Sequence, residues 1–122
     1  MAAGDGALVV LSTVGSADEA QRLATALVEE RLVACGNAVG PITSTYRWKG
    51  KLCCEPEFLL ILKTRRDRLG ELVARLKSLH SYECPEILAL PVEAGFKGYL
   101  SWLVENTTPG EGTEEEGVGA RD

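Results

Sequence analysis

Two extended stretches, residues 33–48 and 51–64, are separated only by a turn at Lys49-Gly50, and this long hairpin constrains the chain more than any other feature. Each arm holds about fourteen residues, which at about 3.3 Å per residue reaches on the order of 45 Å, against a diameter of roughly 35 Å for a compact domain. Arms of that length overhang. Their backbone edges and the rings of Tyr46 and Trp48 near the tip then need a cover, and another subunit is the obvious source. Gly40-Pro41 supports a second reading, because proline cannot donate to a ladder: the first arm divides there into a loop and a short strand, and nothing overhangs. The residues alone leave both readings standing.

The flanking segments decide the fold class. Residues 7–14 form a short β-branched apolar run of the kind expected for a central strand covered on both faces. After Gly15, Ser16 and Glu19 make a capping box, and Ala20, Leu23, Ala24, Leu27 and Val28 follow at helical spacing. Thr64 with Asp67 is read as opening a second helix, whose stripe is Leu69, Leu72, Val73, Leu76 and Leu79 and which ends near His80 ahead of Pro85. Residues 86–92 read as a fourth strand and Tyr99 to Glu105 as a short C-terminal helix. The order is βαββαβ, an α+β, ferredoxin-like sandwich with a long central hairpin. Such a fold hosts many functions and settles none.

At 122 residues the chain has room for one domain, assigned to residues 1–107. Residues 108–122 carry Glu111, Glu114, Glu115, Glu116 and Asp122 against Arg121 alone, and this acidic tail is expected to be disordered. The remainder is nearly neutral, which argues against nucleic acid or an anionic membrane as partner. No apolar run approaches the roughly 18 residues of a membrane helix, and the start lacks the order of a signal peptide. A cytoplasmic protein with reduced cysteines is therefore expected.

Four motifs occur in order: Ala34-Cys35-Gly36-Asn37; Ser44, Tyr46, Trp48 and Gly50 with Lys51; His80-Ser81-Tyr82-Glu83-Cys84-Pro85-Glu86-Ile87; and Pro91-Val92 followed by Tyr99-Leu100-Ser101-Trp102-Leu103. Together, from about Leu8 to Glu105, they resemble the CutA family of divalent-cation-tolerance proteins. The resemblance implies a tight homotrimer, related in architecture to PII signalling proteins, with long strands pairing across subunits. On that basis Tyr46, Trp48 and Trp102 are expected at subunit contacts. Family members usually carry valine where this chain has Gly36, a change expected to loosen the strand. Members for which copper binding has been proposed carry a cysteine where this chain has Ser12, so one thiolate is missing.

Cys35, Cys84 and His80 are ligand types that suit copper or zinc, yet their spacing does not demand a site, and free cysteines are commonly small buried hydrophobes. His80, at a helix end, fits either a ligand or a cation facing the helix dipole. Tyr46 and Trp48 share one strand face and, with Tyr82 and Glu83, form a candidate ligand cleft; their other use is anchoring a subunit contact. No phosphate-cradling loop, paired acids or nucleotide fingerprint occurs, and a single histidine among four cysteines defines no nucleophile–base pair, so no catalysis is expected. Three functions follow: a trimeric protein that binds or responds to copper or another divalent metal; a scaffold for a protein partner, as in animal relatives associated with acetylcholinesterase; or a PII-like sensor whose cleft takes an anion or nucleotide.

Overall fold

The computed structural model describes residues 2–4 and 6–110. Its elements are β1 (Ala2–Ala3), β2 (Ala7–Val14), α1 (Ala17–Glu29), β3 (Cys35–Trp48), β4 (Lys51–Arg65), a 3₁₀ turn (Arg66–Arg68), α2 (Leu69–Leu79), β5 (Leu88–Pro91), β6 (Ala94–Gly95) and α3 (Lys97–Asn106). The main sheet runs β3-β4-β2-β5 with every neighbour antiparallel, the expected ferredoxin-like arrangement. β1 and β6 form a separate small pair that the sequence did not signal. Most of the acidic tail, from residue 111, lies outside the described residues.

Strand alternation decides where the core sits. Leu8, Val10, Ser12 and Val14 are buried and pair with Thr64, Leu62, Leu60 and Phe58 of β4. Val10, Val14, Leu60 and Leu62 pack with Leu23 and Leu27 of α1 and Leu72 and Leu76 of α2 into one core, where each fully buried leucine contributes on the order of 2 kcal/mol. The alternate residues Val9, Leu11, Leu59 and Ile61 lie on the opposite face, which no helix covers, and stay partly exposed. β2 was expected to be covered on both sides; within one subunit it is covered on one.

The helix ends differ from the sequence reading in detail. Ser16 Oγ accepts from the Glu19 N–H at 3.1 Å, as a cap should, but the Glu19 carboxylate turns to Ser81. α1 ends with Arg31 at φ 58°, where Leu32 N bonds Leu27 O and Arg31 N bonds Val28 O, a Schellman arrangement with arginine in the usual glycine position. Thr64 is not a helix cap. It is a buried β4 residue whose hydroxyl donates to Leu32 O at 2.6 Å, since no water reaches it there, and α2 begins only at Leu69.

Gly36 does not loosen its strand. A Cβ there would stand 3.1 Å from both Ala24 Cβ and Leu62 Cδ2, so glycine lets β3 approach α1 and β4 closely. Gly36→Val is therefore expected to overpack the contact and lower stability by about 1–3 kcal/mol, read as a lower urea midpoint with an unchanged slope.

The hairpin overhangs. β4 pairs with β2 only from Phe58 onward, so 42–48 and 51–57 pair solely with each other, a two-stranded ribbon of roughly 23 Å at about 3.3 Å per residue. Lys49 at φ 51° and Gly50 at φ 80° close it with the primed turn that fits strand twist. Gly40-Pro41 does not split the arm: both residues stand opposite Phe58 alone, a bulge between Val39 and Ile42. That extra residue places Ile42, Ser44, Tyr46 and Trp48 on the same side as Glu57, Glu55, Cys53 and Lys51.

Candidate functional site

Where the ribbon leaves the sheet, its inner side and the loop after α2 enclose an open cleft of about 630 Å³. Tyr46, Trp48, Tyr82 and Glu83, the four residues expected to form a cleft, all line it, as does Cys84. Glu55, Glu57 and Glu86 line it too. The sequence reading had placed Glu57 opposite a lysine of a neighbour and gave Glu55 and Glu86 no role.

The loop is held from beneath. His80 is buried; its Nε2 lies 2.9 Å from Thr13 O and its Nδ1 accepts from Tyr82 N–H at 3.0 Å. An accepting Nδ1 carries no proton, so Nε2–H is the donor to Thr13, and both ring nitrogens are spent on positioning the loop. Glu19 accepts from Ser81 N–H at 3.0 Å and Ser81 Oγ at 2.9 Å, fixing the next residue. Burial pushes the Glu19 carboxyl up, but the Ser81 donors and His80 nearby outweigh it, and its pKa falls below the usual 4.5.

Tyr82 Oη donates to Glu57 Oε2 at 2.7 Å. Burial, that bond and the surrounding carboxylates push the Tyr82 phenol up. Burial with Glu55, Cys53 and Glu57 raises Tyr46 as well, so both phenols remain protonated donors at neutral pH. Four carboxylates line the cleft and no lysine or arginine does. Such a wall attracts cations and repels phosphates, which opposes an anion or nucleotide as occupant.

A metal held by His80, Cys35 and Cys84 together does not fit one subunit. Cys35 is paired at the level of Lys63 and Val9, whereas His80 bonds at Thr13, four residues or about 13 Å further along β2. Cys84 is an exposed cleft residue, and all four cysteines are free thiols. No group of three His, Cys, Asp or Glu side chains among the described residues is placed to hold a metal ion. Ser12 faces the helix-side core, its hydroxyl buried without a partner. Trp102 stands apart from Tyr46 and Trp48, stacked 5.4 Å from Tyr99 beside a small second core of Ala7, Ala34 and Leu103. The arginines near α2 are also engaged, Arg65 with Thr107 and Arg68 with Glu71.

Known proteins share this architecture. The divalent-cation tolerance protein CutA of Thermus thermophilus is 50% identical over 99 residues, 81% of this chain and 96% of that protein. Its solved structure superposes with a TM-score of 0.81, covering 83% of this chain and 98% of the other. The chloroplastic Protein CutA 1 of Oryza sativa is 42% identical over 100 residues, 82% of this chain but 56% of that protein's length. A solved structure described as the periplasmic divalent cation tolerance protein CutA from Archaeoglobus fulgidus is 39% identical, with a TM-score of 0.80 over 83% of this chain and 98% of the other. These names refer to tolerance of divalent cations rather than to a reaction, and to more than one compartment. No helix among the described residues is long and apolar enough to cross a membrane. With the family model for CutA1 divalent ion tolerance protein matching residues 8–106, the chain belongs to that family.

Proposed function

We propose that the chain works as a homotrimer, without catalysis, and that its response to divalent cations, copper included, resides in groups brought together by different subunits. The observation that carries this is the uncovered apolar sheet face. Leu88 and Leu90 of β5 are 57% and 49% exposed, Val39 of β3 46%, and Val9, Leu11, Leu59 and Ile61 lie between them. A contiguous apolar face of this kind marks an association surface. The ribbon adds a second reason, since two strands alone are marginal in water and Leu52 near its tip is 73% exposed. Tyr46, Trp48 and Trp102 remain the candidate anchors at the contacts. Four free thiols suit a reducing compartment, in keeping with a cytoplasmic setting.

Light scattering coupled to size-exclusion chromatography tests the assembly, with a mass three times that of the chain expected at micromolar concentration. Copper titration tests the metal. Cys84→Ser, in the exposed cleft, is expected to reduce stoichiometric binding, and His80→Ala to act through folding rather than ligation. A monomeric mass would overturn the assembly, and a site indifferent to every cysteine would overturn the metal reading.

A further inference from the structure

We infer that the cleft is a binding site for an organic polycation, an aliphatic chain bearing two or more ammonium groups. This goes beyond the assembly and metal reading and uses groups of one subunit only. The central observation is Glu57. It is 7% exposed, it lines the cleft, and Tyr82 satisfies one of its two carboxylate oxygens. Its other oxygen meets no donor among the described residues, and no lysine, arginine or histidine pairs with it. That oxygen is also not among the sealed, unpartnered polar atoms, so it opens on the cleft. A carboxylate this buried is costly without a counter-charge, and the open side is where one can arrive.

The walls select the kind of cation. Tyr46 and Trp48 present rings that are 38% and 42% exposed, and Tyr82 adds a third aromatic surface. Aromatic faces attract ammonium groups and also cover methylene chains, whereas a small hydrated metal ion gains little from them. Trp48 already draws one ammonium, with Lys49 Nζ 5.7 Å from its ring centre, yet no ion pair links Lys49 to a cleft carboxylate among the described residues. Glu55, Glu83 and Glu86 are spread around Glu57 within about 630 Å³, a volume suited to a small organic molecule. Separate carboxylates around apolar rings match separate ammonium groups along an apolar chain.

Isothermal titration of the full chain with spermidine, at fixed ionic strength and with magnesium chloride as the inorganic control, tests the assignment. Saturable binding at one spermidine per subunit is expected, weakened at least tenfold by Glu57→Gln and severalfold by Glu83→Gln or Trp48→Leu. Magnesium at equal charge is expected to leave most of the spermidine binding intact. Absence of saturable binding, full displacement by magnesium, or affinity unchanged in a folded Glu57→Gln protein would overturn it; if that variant fails to fold, indifference to both Glu83→Gln and Trp48→Leu does so instead. Light scattering on the same samples separates the two readings: a trimer that ignores spermidine removes this inference and leaves the assembly, and a monomer that binds it does the reverse.

Discussion

Ile61→Arg is expected to convert the assembly to folded monomers. Ile61 sits mid-strand on the uncovered face, opposite Leu11 on one side and Asn37 on the other, so its side chain does not enter the helix-side core. In an isolated subunit an arginine there extends into water at little cost. In an assembly closed over the same face, each copy would bury an unpaired guanidinium, at several kcal/mol per charge even after local relaxation. Summed over three copies, that penalty is enough to dissociate an ordinary interface. Light scattering should report one third of the wild-type mass, with the far-ultraviolet circular dichroism retained. An unchanged mass in a folded Ile61→Arg protein would mean that this face is not where subunits meet.

Glu19→Ala is expected to cost about 2–4 kcal/mol, more than any exposed ion pair in the chain. The loss has two parts. Ser81 N–H and Oγ lose a charged acceptor in a partly buried place, and the loop that floors the cleft loses its tie to α1, 62 residues away in sequence. The pH dependence has a definite sign. The Glu19 pKa lies below its ordinary 4.5, because burial, which alone would raise it, is outweighed by the Ser81 donors and by His80. The folded protein therefore binds that proton less readily than the unfolded chain. The stabilisation is complete above the unfolded value and disappears as pH falls through the folded one. Denaturation midpoints followed from pH 6 to pH 3 should drop more steeply for wild type than for Glu19→Gln; parallel curves would show that the carboxylate's charge has no such role.

The architecture was legible because it is written in local signals. Alternation in residues 7–14, the Ser16 cap and the leucine spacing of both helices each follow from the side chain's own immediate neighbours. What escaped depends on distant partners. Thr64 resembles a cap until Leu32 O is seen beside it, and His80 resembles a ligand or a dipole cation until Thr13 O and Tyr82 N–H occupy its ring. Gly36 suggests slackness, yet Ala24 stands where its side chain would be. The four cleft residues came from motif and resemblance together. The carboxylates Glu55, Glu57 and Glu86 did not, because one must first know which side of the ribbon each position takes, and the bulge at Gly40-Pro41 resets that parity partway along β3.

That bulge acts as a reading frame. Upstream of it the odd-numbered residues of β3 share a side with Leu59, Ile61 and Lys63, and downstream the even-numbered ones share a side with Glu55 and Glu57. Deleting a single residue between Val39 and Ile42 would restore the upstream phase and carry it to the tip, turning Tyr46 and Trp48 outward and Arg47 and Lys49 inward against the carboxylates. The same side chains, shifted by one step, would make a self-neutralised ribbon instead of an electronegative one. Single-residue insertions and deletions at this point are thus a direct route by which such a chain can gain, lose or invert its preference for a charged partner, with the rest of the fold left as it is.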